Sequence, residues 1–229
     1  MDARAEEILD ASLMHVPFDG WTETSFKAAA ADVGATTAEA RAHFPRGAVD
    51  LAIAFHRRGD RRLAALLAEA DLSAMRFRDR VAHAVRLRLE MVEDDKEAVR
   101  RGATLFALPI YAADGAKLVW ETADVIWTGL GDTSQDLNWY TKRATLSGVY
   151  SSVVLYWLGD QSGDHSATWA FLDRRIDDVM RIERVKAKVR ENAILRPLAE
   201  GFERLTAGIK APTARGGAQD LPGHWPPRT

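Results

Sequence analysis

No stretch of this chain alternates apolar and polar residues over the length of a strand. Apolar residues return instead every three or four positions along most of its 229 residues. A recurrence near 3.6 lays a stripe of side chains along one face of a helix, whereas a half-buried strand needs a recurrence of two. The expected fold class is therefore all-α. Proline and glycine punctuate the pattern at Pro17 and Gly20, Gly34, Pro45, Pro109, Gly129 with Gly131, and across 159–164. Between them the spacing predicts helices over about 2–15, 25–33, 37–44, 48–72, 74–92, 95–108, 114–128 and 136–158, and from 167 into the 180s. Expected N-caps are Thr24 or Ser25, Thr37, Asp114 and Ser166, with Thr133 and Asp136 as a capping-box variant for the long central helix. The first helix should bury Ile8, Ala11 and Leu13. The dense arginines of the fourth and fifth helices (Arg57, Arg58, Arg61, Arg62; Arg76, Arg78, Arg80, Arg86, Arg88), interleaved with acids, read as solvated faces.

A formal charge of −2 gives no bulk field toward nucleic acid or an anionic membrane, and the absence of cysteine excludes disulfides, thiolate metal sites and cysteine nucleophiles. No apolar run reaches the roughly 20 residues that span a bilayer. The start, Met1-Asp2-Ala3-Arg4 followed by acids, is unlike a secretory or mitochondrial presequence. This suggests a bacterial cytoplasmic protein, or the mature form of an organelle one.

Residues 1–46 have the layout helix, helix, turn at Gly34-Ala35, helix, and resemble the helix-turn-helix of TetR-type regulators, whose third helix reads DNA. Charge argues against reading here. Residues 1–50 carry nine acids and four bases, a net of −5, where phosphate contact needs a positive surface. Residues 38–42 offer one base-edge donor, Arg41, beside Glu39. An inherited fold with no nucleic-acid partner is expected, and a ligand-responsive repressor is the rival.

Enzymatic signatures are missing. The six histidines are scattered; Glu39 with His43 and Asp79 with His83 could each make one local pair, but a metal site needs more converging ligands. Gly129-x-Gly131 lacks the third glycine and the strand of a dinucleotide loop, and neither G-x-S-x-G nor a P-loop occurs. No catalytic, metal or cofactor residue is assigned.

The most distinctive string is Gly131-Asp132-Thr133-Ser134-Gln135-Asp136-Leu137-Asn138-Trp139-Tyr140-Thr141-Lys142-Arg143. In the helix it opens, Trp139, Arg143, Leu146 and Tyr150 share one face, beside a face of small residues at 144, 147, 148, 151 and 152. Spacing alone is compatible with core packing or with an interface. The string G-D-x-S-x-D-x-N-W-Y-T-x-R resembles the signature of the coenzyme Q (ubiquinone) biosynthesis accessory family, the ninth Coq protein. The similarity runs from about Ala5 to Ala207, through Phe18-Asp19-Gly20-Trp21 and Trp169-Ala170-Phe171-Leu172.

That resemblance implies a TetR-like fold, no catalysis by the chain itself, a homodimer, a cavity for isoprenoid or quinone-type lipid, and the demethoxyubiquinone hydroxylase as partner. Carried over by position, it implies partner docking by Asp124, Ile126, Trp139 and Tyr140. Ala123 stands where the mitochondrial form has a second acid, and Arg143 is expected in a structural ion pair with Asp136. The apolar run Leu105, Phe106, Leu108, Ile110, Tyr111, Trp120 and Trp127 suits core or lipid; Leu105, Phe106, Trp120 and Trp127 are the lipid-binding candidates.

From Arg181 to Lys210 eight bases face four acids, and Pro197 must break or kink the helix. A linker helix to about Arg196 and an amphipathic helix over 197–209 follow, with Leu198, Phe202 and Leu205 as membrane-binding candidates and Arg204 and Lys210 free to snorkel. A dimerisation arm or a coiled-coil seam is the other reading. The expected organisation is 1–46 helix-turn-helix-like, 47–187 lipid-binding and dimerisation body, 188–210 linker and amphipathic helix, and 211–229 disordered tail. A general lipid carrier without an enzyme partner is a third functional possibility.

Overall fold

The computed structural model describes residues 1–191 together with 208 and 210–212, with side chains described as far as Arg181 and again in the short later piece. The expected break at Pro197, the membrane-binding candidates Leu198, Phe202 and Leu205, and the tail from 213 lie outside the described residues. Among the described residues there are nine helices and no strand.

Three short helices open the chain: α1 (Ala3–Asp19), α2 (Glu23–Asp32) and α3 (Thr37–His43). α1 runs past Pro17, which was expected to end it. Proline in a last turn forfeits a single backbone hydrogen bond, and the helix still closes because the Gly20 N–H donates to the Val16 carbonyl at 2.8 Å. α2 starts earlier than the sequence suggested. Thr22 caps it, with Ser25 completing a reciprocal capping box. Thr36, one residue before the expected Thr37, caps α3 with Glu39. In both cases the true cap is the hydroxyl that has a partner three residues on. α1 buries Ile8 as expected, together with Ala5, Leu9, Ser12 and Val16, while Ala11 and Leu13 are only partly covered.

The body follows as α4 (Ala48–Glu69), α5 (Phe77–Glu90), α6 (Lys96–Phe106), α7 (Ala112–Gly129), α8 (Leu137–Gly159) and α9 (Ser166–Glu191). α4 is the axis. Its apolar stripe, Ala52, Phe55, Leu63 and Leu67, packs against α1, α2, α5 and α7, and α7 in turn supports α8, which pairs with α9. α9 is continuous across the boundary expected at 187/188. α8 is capped by Asp136, whose carboxylate accepts the Asn138 N–H at 2.9 Å; Thr133 is exposed and takes no part. Upstream, Gly131 adopts φ +79°, the left-handed turn that separates α7 from α8 and that a side chain would strain.

One reading of the arginines needs correction. Arg88, placed with the solvated residues, is 3% exposed and belongs to the buried stripe of α5 beside Val81, Ala84, Val85 and Leu89.

Candidate functional site

Helices α4 to α8 leave a chamber between them of about 290 Å³. Its walls are apolar, with Trp21, Leu89, Phe106, Val119 and Val154 among them. At the mouth stands Leu155, 65% exposed although it is a leucine on a helix surface. Leu108 and Ile110 are also exposed, in the turn between α6 and α7. Apolar walls with few polar groups suit a hydrocarbon-rich ligand.

The inner end of the chamber is different. Arg88, His56 and Tyr150 line it. The Arg88 Nε donates to Asp60 at 2.8 Å and its Nη2 to the His56 carbonyl at 3.0 Å. Thr122 donates its hydroxyl to Asp60 at 3.0 Å and sits 2.8 Å from the His56 ring. Because the threonine proton goes to the carboxylate, the histidine supplies its own proton to the threonine oxygen. Burial first, and the Arg88 charge second, hold the His56 pKa down to about 4, so the ring is neutral at physiological pH. Burial pushes the Tyr150 phenol up against the pull of Arg88, which keeps its proton in place. The guanidinium lies flat against Gly59: a Cβ there would come within 2.6–2.7 Å of its carbon and terminal nitrogens.

A second arginine-centred cluster holds α7 to the start of α8. Arg143, 2% exposed, donates to Asp124 at 2.5 Å and to Asp132 at 3.0 Å, so its partners are these two acids and not the expected Asp136, which is engaged as the cap. Lys142 also reaches Asp132 at 2.7 Å. Burial works to raise the Asp132 pKa, but hydrogen bonds from Lys142, Ser134 and Arg143 outweigh it and bring the value to about 2. Above the arginine lies an aromatic patch: Trp139 covers the guanidinium at 4.0 Å, Tyr140 meets Trp139 edge-on at 4.8 Å, and Trp120 completes the group at 5.9 Å. The Tyr140 hydroxyl donates to the Lys210 carbonyl, and the Ala211 N–H to the Gln135 carbonyl, so residues 210 and 211 lie along the edge of the patch.

The expected docking residues thus separate. Asp124, Trp139 and Tyr140 come together at a half-exposed surface, whereas Ile126 is 0% exposed in the core and cannot be touched from outside. The lipid candidates separate too. Phe106 lines the chamber; Leu105 packs against Val49, Ile53 and Leu118; Trp120 joins the patch. Trp127 lines a smaller cavity of about 200 Å³, stacked on Phe77 at 5.6 Å. The seven residues of the apolar run are spread over the end of α6, the turn after it and α7, and apolar character alone did not give them one neighbour. Asp60, Arg88 and His56 were missed. The signal was available: an acid and a base each occupy a core position on the apolar stripes of adjacent helices.

In the helix-turn-helix region every base is tied to an acid: Arg4 to Glu7, Lys27 and Arg41 to Glu23, and Arg46 to Asp50 and Asp114. The local pairs expected for His43 and His83 do not form as read. His43 meets Asp2, Glu39 is spent on its cap, and Asp79 pairs with Arg76. No described helix is long and apolar enough to cross a membrane.

The architecture is that of the TetR-type helical proteins. A TetR transcriptional regulator from Nitrosomonas europaea superposes with a TM-score of 0.63 at 18% identity, over 77% of this chain and 97% of that one, a likeness of fold alone. The COQ9 family model matches residues 112–183, the segment that contains the α7–α8 patch and part of the chamber wall. Mitochondrial proteins named as ubiquinone biosynthesis protein COQ9 match along most of the chain: 33% identity in Drosophila melanogaster over 80% of this chain and 57% of that protein, and 30% in Homo sapiens over 80% and 59%. The probable coq9 protein of Dictyostelium discoideum is 30% identical over 81% and 62%. The chain is a relative of the COQ9 family of ubiquinone biosynthesis proteins. It spans about six-tenths of the length of the relatives it matches.

Proposed function

We propose that this chain serves ubiquinone biosynthesis as a non-catalytic accessory protein: it takes an isoprenoid or quinone-type lipid into the α4–α8 chamber and presents it to the demethoxyubiquinone hydroxylase at a membrane surface. The observation that carries the reading is an apolar chamber opening at the exposed Leu155. A lipid tail leaving the mouth would lie against this leucine and cover it. The names of the relatives supply the pathway. The partner is proposed to dock on Trp139, Tyr140 and Asp124, and the membrane to be met by Leu198, Phe202 and Leu205, with the chain a homodimer peripheral to the membrane. DNA binding is not part of the proposal, since the bases of the helix-turn-helix are neutralised in place.

The test is direct. Lipid extracted from the purified chain should contain a polyprenyl quinone or its precursor, and delipidated chain should gain thermal stability when a polyprenyl quinone is added, because a ligand of the native state stabilises it. No copurifying lipid and no shift would sink the reading. Trp139→Ala with Tyr140→Ala should weaken capture of the hydroxylase by about 30- to 1000-fold while leaving bound lipid unchanged. Truncation before Pro197 should abolish flotation with anionic liposomes.

A further inference from the structure

We infer that the inner end of the chamber recognises an uncharged, oxygen-bearing head group, with Arg88 and Tyr150 donating hydrogen bonds to a carbonyl or phenol oxygen while the apolar tail leaves past Leu155. The inference rests on the lipid reading above and adds to it which end enters first and which heads are refused.

A chamber meant only for hydrocarbon gains nothing from a buried ion pair. Replacing such a pair by apolar residues is often neutral or stabilising, so its place on the chamber wall needs a use. Arginine has five N–H donors in a rigid fork. Here Nε is bound to Asp60 and Nη2 to the His56 carbonyl, while Nη1 has no hydrogen bond among the described residues. The side chain lines the chamber, so an unpartnered donor belongs to its wall. Gly59 beneath and Asp60 at its side fix the guanidinium plane, and Thr122, itself braced by His56, fixes Asp60. Tyr150 stands next to Arg88, buried and in hydrogen-bond contact with the Thr122 hydroxyl, from which a ligand oxygen would draw its phenol proton.

Charge then selects the head. Asp60 already balances Arg88, and His56 and Tyr150 are neutral, so the site has no net charge to offer. A phosphate or carboxylate would arrive as an uncompensated anion in an apolar enclosure, which is expensive. A carbonyl or phenol needs only a donor. Size agrees: an apolar cavity of roughly 150 Å³ holds a benzene ring, and this one is about 290 Å³. It takes one substituted ring and the first carbons of a tail, and the remainder must leave by the mouth.

Three probes with one tail test this on the delipidated full chain: farnesyl-benzoquinone, farnesene and farnesyl diphosphate, with binding followed by quenching of tryptophan fluorescence. The quinone should bind at least about tenfold more tightly than farnesene, the value of one good hydrogen bond to a charged donor, and the diphosphate no more tightly than farnesene. Tyr150→Phe should erode the quinone preference. Arg88→Met paired with Asp60→Asn, which leaves no buried charge alone, should abolish it, with farnesene binding unchanged in both. Equal binding of quinone and farnesene to the native chain would overturn head recognition while leaving the lipid reading intact. So would a preference for the diphosphate, or an equal loss of farnesene and quinone in the variants. Binding of none of the three would overturn the lipid reading itself and this inference with it.

Discussion

Two buried arginines, Arg88 at the end of the chamber and Arg143 beneath the aromatic patch, are nearly equally inaccessible and do opposite things. Arg143 faces two carboxylates, shares one of them with Lys142, and is roofed by Trp139. Its charge is consumed in joining the end of α7 to the start of α8. Arg88 faces one carboxylate and one carbonyl and keeps a nitrogen on the chamber wall. Burial alone therefore does not tell a brace from a reader. Each fork leaves one terminal nitrogen without a hydrogen bond among the described residues, so the distinction lies in the surroundings: two acids and the Trp139 ring around Arg143, the chamber beside Arg88.

The largest effects should come from breaking each cluster. Arg88→Ala and Arg143→Ala should each cost about 3–5 kcal/mol in denaturant unfolding, because each strands buried carboxylate. The comparison sharpens when the acids go too: Arg88→Met with Asp60→Asn should recover most of that loss. Arg143→Met with Asp132→Asn should recover less, since Lys142 then loses its partner and Asp124 keeps its charge. Equal recovery would erase the distinction.

Acid should separate the two regions next. The His56 pKa is depressed, so the unfolded chain binds its proton first, and stability contributed at neutral pH falls as pH drops from about 6.5 through about 4. The size is on the order of 3 kcal/mol. The Asp132 pKa is also depressed, and its contribution, about 2 kcal/mol, is present above about 3.8 and lost as pH falls through about 2. Urea melts at stepped pH should show the first loss disappear in His56→Gln and the second in Asp132→Asn. A single step unaffected by either variant would contradict both assignments.

Smaller still is the cost of opening the patch. Trp139→Ala uncovers the Arg143 guanidinium and removes ring packing with Trp120 and Tyr140, and should lower stability by about 1–2 kcal/mol. Global unfolding would mean that these rings are core. Last, Arg41→Ala severs an exposed pair with Glu23 and should change stability by no more than about 1 kcal/mol.

The all-α class, the helix order and most helix ends were legible because the apolar spacing and the Pro and Gly punctuation are local signals. What failed was local ambiguity resolved by a partner. Thr22 outcompeted Thr24 because Ser25 answers it, and Pro17 was absorbed because a last turn can spare a donor. Within the site, the set Asp124, Ile126, Trp139 and Tyr140 came from the resemblance by position, and nothing in the helix spacing separated the buried Ile126 from the others, since a helix face says nothing of which neighbour covers it. Arg88 went unseen because charge density was weighed over the whole helix instead of position by position along its stripe.

Gly59 carries a consequence for how such chains can diverge. The guanidinium of Arg88 occupies the space in which any side chain at position 59 would begin. The two positions are therefore coupled: a methyl group at 59 obliges the guanidinium of residue 88 to shift, and so to loosen its hold on Asp60. Among relatives that keep the chamber, glycine at 59 and arginine at 88 should be inherited or lost together, and an ancestor reconstructed with one but not the other should bind its ligand without discriminating the head.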